Sequence, residues 1–240
     1  MTQQNKFSGF PSECIAFLAS LEENNNKTWF EAHKKEYERC LLEPARGFVT
    51  AMGDRMREIV PGIHADPRTN GSIFRIYRDT RFSKDKSPYK THLAVFLWEG
   101  TGPKMECPGF YFHFDTEQLL LGAGVYLFPK ALLHGYRQSV IHDEHGKDLA
   151  AILDDVRIQK DFIIGGKHYK RIPKGYDAFH ERAELLLYNG LHIGNTEPIP
   201  NLLFSRELIN HCIEVFSILL PLHQWLVSLA QRTTHHDAHS

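Results

Sequence analysis

Residues 109–126 read GFYFHFDTEQLLLGAGVY. Phe110, Phe112 and Phe114 alternate with Tyr111, His113 and Asp115. Side chains of an extended chain point alternately to opposite faces, so the phenyl rings share one sheet face and the polar groups the other. After a short connection, QLLLGAGVY reads as the next strand. Upstream, HLAVFLW at 92–98 has strand length, and Phe74 and Ile76 alternate with Arg75 and Tyr77. Four strands in succession with short connections predict antiparallel pairing.

Helical patterns flank this middle. Ile15, Phe17, Leu18 and Leu21 form one apolar face after Pro11, and NNNK at 24–27 ends it. Thr28 with Glu31 has the spacing of a capping box, and Pro44 is expected to start the next helix, striped by Phe48, Met52, Met56 and Ile59. Later, Pro129 opens a helix through Val140 and another follows near 147–156. FIIGGKHY predicts a hairpin turning at Gly165-Gly166, HERAELLLY a short helix and NTEPIPN a loop. From Ser205 a helix is expected to about Ala230, kinked or broken at Pro221. The expected fold is α+β: one domain over 1–240, a central antiparallel sheet with helices packed from both the N- and C-terminal segments. Its core spans about 7–230, and 231–240 is expected to be a disordered tail.

Charges nearly cancel, with 28 Lys+Arg against 29 Asp+Glu, which disfavours nucleic acid as a general partner. Cys14, Cys40, Cys107 and Cys212 are isolated, with no C-x-x-C pair, and no charged-then-apolar signal segment opens the sequence. IEVFSILLPLHQWLV, interrupted by Pro221, His223 and Gln224, is read as too short to span a bilayer. A soluble, cytoplasmic protein with reduced thiols and no membrane partner is expected. The motifs imply no cofactor and no physiological metal. HDEH at 142–145 lacks a third ligand, and the terminal HHDAH (His235, His236, Asp237, His239) reads as a frayed polar end.

Against that neutral background, FRIYRDTRFSKDKSPYKTH at 74–92 holds Arg75, Arg78, Arg81, Lys84, Lys86 and Lys90, opposed only by Asp79 and Asp85. Like charges at 4 Å repel by roughly 1 kcal/mol per pair even in water. Two readings stay open on residue types alone. One is a solvated loop laced with ion pairs to Asp79 and Asp85. The other is a pocket for a small phosphorylated or carboxylate anion, bound by Arg75, Arg78, Arg81, Lys86, Lys90 and His92 with Tyr77 and Tyr89. The arginine fork matches two oxyanion oxygens at once, and lysine adds a mobile point charge.

This stretch resembles the signature of the uncharacterised bacterial and fungal family catalogued as domain of unknown function 2461. FLASLEENNNKTWFEAHKKEY, GFYFHF, LGAGVYLFP with Arg137 after it, and YKRIPKGYD fit the same family in order, from about Phe7 to Leu226. At VYL before Pro129 the sequence departs from an expected tryptophan. The resemblance implies a single α+β domain whose longest polar signature is the basic loop; it implies no reaction.

His113 and Asp115, on one strand face with Tyr111, are the candidates for catalysis or ligation, since an imidazole and a carboxylate together can move protons. Three functions follow. The first is binding of a small anion. The second is an enzyme acting on such an anion by phosphoester or acyl hydrolysis or transfer. The third is an interaction scaffold whose loop meets an acidic protein. Lys174 and Tyr176 join the basic site if the fold brings them there. No motif encodes the oligomeric state.

Overall fold

The computed structural model describes residues 7–237. The fold is α+β, with a six-stranded antiparallel sheet in the order β1-β2-β3-β4-β6-β5. In chain order these strands are β1 (Ile63–His64), β2 (Leu93–Glu99), β3 (Gly109–Phe114), β4 (Gln118–Val125), β5 (Ile163–Lys167) and β6 (Tyr188–Pro198). The chain forms two compact units. The first holds residues to Leu97 with Tyr111–Leu121 and Thr196–Glu214; the second holds Trp98–Phe110, Gly122–Asn195 and the residues from Val215.

In the first unit, α1 (Glu13–Glu23) follows Ser12, and its inner face is Cys14, Phe17, Leu18 and Leu21. Helix α2 (Lys27–Tyr37) is capped by Asn26, whose side chain accepts from the Trp29 N–H, and not by Thr28. An Asn placed directly before the first turn satisfies an orphan donor there, so the Thr28–Glu31 pair falls inside the helix. Pro44 stands in the first turn of the next helix, as expected, though that helix is not set apart by a loop. A π-helical turn at Glu38–Leu42 leads straight into α3 (Glu43–Arg57), and the Glu43 N–H reaches back to the Glu38 carbonyl. Proline has no N–H to give and crowds the carbonyl four residues earlier, and the widened turn just upstream accommodates both.

The phenyl face expected of β3 packs as the alternation requires. Phe112 lies 4.3 Å from Phe48, and Phe114 lies 4.9 Å from Phe10, centroid to centroid. All four rings are buried, each contributing about 1.5–3 kcal/mol by leaving water. Phe74–Tyr77 is no regular strand. It meets its neighbours only through isolated bridges, Ile73 to Val95 and Tyr77 to Tyr89, so three strands and not four run in succession here.

In the second unit, α4 (Lys130–Ile141), α5 (Asp143–Leu153) and α6 (Val156–Asp161) precede β5. His142 caps α5, its Nδ1 accepting from the Glu144 and His145 N–H groups. FIIGGKHY is one strand and not a hairpin: Ile163 pairs with Gly194 and Lys167 with Tyr188, with a register shift between Gly165 and Lys167. Gly166, at φ 105°, lies at that shift, where a Cβ would come 2.1 Å from the Gly190 carbonyl oxygen. The positive φ serves a bulge, not a turn. Strand β6 follows a three-ten turn at Ala183–Leu187 and absorbs the start of the expected NTEPIPN loop.

Helix α7 (Leu208–Asp237) runs 30 residues without breaking at Pro221. The expected break at Pro221 is corrected, since the helix continues through it; residues 238–240 lie outside the described residues. Leu208–Thr234 is long and apolar enough to cross a bilayer, contrary to the shorter stretch read from sequence, but half of its most apolar window is buried in the protein. His223, fully buried, stacks on Phe110 at 4.5 Å and bonds Glu99 at 2.8 Å through Nε2.

All four cysteines are free and buried. Burial pushes the Cys14 thiol up to about 12 and Cys40 up to about 11, which keeps both unreactive near neutral pH.

Candidate functional site

Two arms carry the basic stretch. The Arg78 N–H donates to the Pro88 carbonyl at 2.9 Å and the Lys90 N–H to the Ile76 carbonyl at 2.7 Å, pairing 76–78 with 88–90. Tyr89 is buried and stacks on Phe30 at 4.1 Å. The Asn25 side-chain amide grips its backbone, donating to the Tyr89 carbonyl at 2.9 Å and accepting from the Tyr89 N–H at 3.0 Å. One side chain thus supplies the two bonds a neighbouring strand would supply. The NNN run, read only as a helix break, holds this role, and no local pattern signals a pairing 64 residues away.

The loop between the arms satisfies its charges locally. Arg81 forks onto Asp79, at 3.0 Å from Nε and 2.7 Å from Nη2. Arg78 pairs with Asp85, whose other oxygen accepts from the Ser87 hydroxyl and N–H. Lys86 donates to the Thr80 carbonyl at 2.9 Å. Arg81 first of all holds the Asp79 carboxyl down to about 2, and Arg78 holds Asp85 well below the ordinary range. Phe82 at the tip is 95% exposed. For Arg78, Arg81 and Lys86 the geometry is that of the ion-paired loop.

A different set converges on the polar sheet face. Lys90 is half-buried, its ammonium 5.3 Å from the centre of the Phe74 ring. Phe74 in turn meets Tyr111 edge to face at 6.2 Å. The Tyr111 hydroxyl lies 3.1 Å from His113 Nδ1, and His113 Nε2 lies 3.9 Å from Asp115 Oδ2. The rings of His92 and His113 stack at 4.2 Å. Arg75, exposed on the first arm, makes no hydrogen bond or ion pair of its own among the described residues; with burial, its charge helps lower Lys90.

Electrostatics mark this face. Burial first, then His113 and Lys90, lower the His92 imidazole to about 4. Burial also lowers His113, against the pull of Asp115. Burial pushes Tyr111 up to about 12, so its phenol stays protonated beside His113 Nδ1, while His113 Nε2 faces Asp115. Both imidazoles are therefore neutral at pH 7, beside a lysine and an arginine that are in no ion pair among the described residues.

The structure thus gathers Lys90, His92, His113 and Asp115, with Arg75 near Lys90, and commits Arg81 to Asp79 and Lys86 to the Thr80 carbonyl; Tyr77 instead meets Phe30 and Tyr89. Tyr89 is a packing residue. Phe74, the floor under Lys90, was legible only as a strand residue. Lys174 and Tyr176 belong to the second unit. Among the described residues no three His, Cys, Asp or Glu side chains group to hold a metal ion. His142 and His145 do stack at 4.5 Å, but His142 serves as the helix cap, and the HHDAH side chains lie outside what the structure describes.

The model of the family described as conserved hypothetical protein (DUF2461) matches residues 13–225. The chain belongs to this family. Among curated proteins, none matches it. The basic stretch and the sheet face both fall inside the matched residues.

Proposed function

We propose that this protein binds a small phosphorylated or carboxylate anion on the sheet face formed by Arg75, Lys90, His92 and His113. One observation carries the reading. Lys90 and Arg75 are near enough for one charge to depress the other, and neither is in an ion pair among the described residues, whereas Arg78 and Arg81 are; Arg75 reaches Asp79 only through its field. An unpaired, half-buried ammonium is stabilised by any anion that reaches it, because partial exclusion of water strengthens the attraction. Arg75 adds a planar fork for two oxygens. The neutral His92 imidazole can donate one N–H, and protonation improves it as a donor. Arg78, Arg81 and Lys86 raise the local positive potential.

Calorimetry with a panel of phosphorylated and carboxylate metabolites tests this. Arg75→Ala with Lys90→Ala should abolish the heat of any ligand held on the sheet face, while Arg81→Ala with Lys86→Ala should leave binding in place with a shallower salt dependence. Undiminished affinity in the first double variant contradicts the reading.

The Tyr111–His113–Asp115 array favours a second reading, an enzyme acting on such an anion by phosphoester or acyl hydrolysis or transfer. A histidine hydrogen-bonded to a phenol and facing a carboxylate has groups that could orient it as a general base. Turnover of a phosphomonoester or acyl ester that disappears in His113→Gln, with binding kept, supports it; turnover unchanged in that variant removes it. The exposed loop tip keeps the scaffold reading as the outcome in which no small anion binds and an acidic protein does. For location we infer a soluble cytoplasmic protein, supported by four free, buried thiols.

A further inference from the structure

We propose a second anion site, in the second compact unit, where Arg137 and the loop 168–177 take up a phosphoryl group. Arg137, on α4, lays its guanidinium 4.9 Å from the centre of the Tyr169 ring. Its Nε is buried without a hydrogen-bond partner. No ion pair engages its terminal nitrogens among the described residues. A buried charged donor without an acceptor costs more than the roughly 1–3 kcal/mol of a neutral one. An oxyanion on the terminal nitrogens stabilises the positive charge of the same guanidinium, and the ring underneath fixes the plane in which it binds.

The loop completes the site. Its start is pinned where the His168 and Tyr169 N–H groups both donate to the Leu187 carbonyl at 2.9 Å. Its far end is pinned to α4 one residue beyond Arg137, where Gln138 donates to the Tyr176 hydroxyl at 3.3 Å. Between these anchors stand Lys170, Arg171 and Lys174, all exposed and none in an ion pair among the described residues. Sequence-near acids are committed elsewhere: Asp177 accepts from the Phe179 N–H at 2.8 Å, Glu181 pairs with Arg182, and Glu184 pairs with Lys167. Three loop cations and Arg137 of α4, none of them in an ion pair among the described residues, suit a phosphate-type dianion better than a single carboxylate, which leaves most of the charge uncompensated.

The test follows the arginine side-chain Nε–H resonances by NMR. Inorganic phosphate, a simple phosphate monoester, succinate and chloride are titrated at equal ionic strength. Phosphate should move the Arg137 Nε–H saturably, and chloride should not. Arg137→Lys, which keeps the charge and loses the fork, should weaken phosphate about tenfold. The exposed triple variant Lys170→Ala, Arg171→Ala, Lys174→Ala should weaken it several-fold without altering the fold. Tighter binding of the monoester identifies a phosphorylated small molecule as the source, and equal binding identifies free phosphate. Arg75→Ala with Lys90→Ala should leave this site unaffected, so the sheet-face reading can fail without it. A shift by chloride or succinate equal to that by phosphate, or full affinity in the triple variant, overturns the proposal.

Discussion

Lys90 and His92 sit two residues apart, and water is partly excluded from both. For His92 the consequence is a pH dependence with a definite sign. Its imidazole ionises at about 4 in the folded chain against an ordinary 6.5, so between those values the unfolded chain binds the proton and the folded chain refuses it. Stability therefore rises with pH across that window, costs nothing above 6.5 and is fully diminished below about 4. Urea midpoints at pH 7 and pH 5 should differ more in the native protein than in His92→Gln; equal differences contradict the burial of this ring. Asn25 makes a second residue-level claim. Asn25→Ala leaves both Tyr89 backbone groups part-buried without their partner, at a cost of about 1–3 kcal/mol in urea unfolding, and protection of the Tyr89 amide from hydrogen exchange should fall with it.

Among the elements, β5 shows how a glycine pair can mislead. Gly165-Gly166 suits a turn by composition, yet Gly166 takes its positive φ at a bulge against β6, with no room for a Cβ. Gly166→Ala should lower stability by at least about 1–3 kcal/mol, whereas Gly175→Ala, at φ 90° with open space around it, should cost only about 1 kcal/mol. Comparable thermal shifts in the two variants would refute the close approach. The strands around Phe112 and Leu119 were legible because alternation records burial on one face. Strand β6 was not: NGLHIGNTEP has glycines, asparagines and a proline where a strand is usually β-branched, and its pairing with β4 and β5 supplies what propensity lacks. The candidate site was half legible. The cations announced themselves by density, and His113 with Asp115 by alternation. Which cations stay unpaired depended on Asp79 folding back onto Arg81 and Asp85 meeting Arg78, one of the two readings that residue types left open.

Across the whole molecule, charge is nearly balanced, and local differences in its pairing set the two proposed sites apart from the rest. Most arginines sit beside a carboxylate a few residues away, as Arg46, Arg57, Arg68 and Arg157 do. Exposed pairs of that kind contribute little to stability, about 0–1 kcal/mol each, but they do neutralise. Arg75 with Lys90 in one unit and Arg137 with its loop in the other stand outside this pattern. The central claim is that the sheet face beside Lys90 receives an anion, and the His92 imidazole is the reporter placed next to it. NMR titration of His92 with and without inorganic phosphate, at matched ionic strength, reads this directly. The account predicts that phosphate raises the His92 pKa from about 4 toward its ordinary value, and that Arg75→Ala with Lys90→Ala removes the response. A titration curve that phosphate leaves unmoved contradicts it.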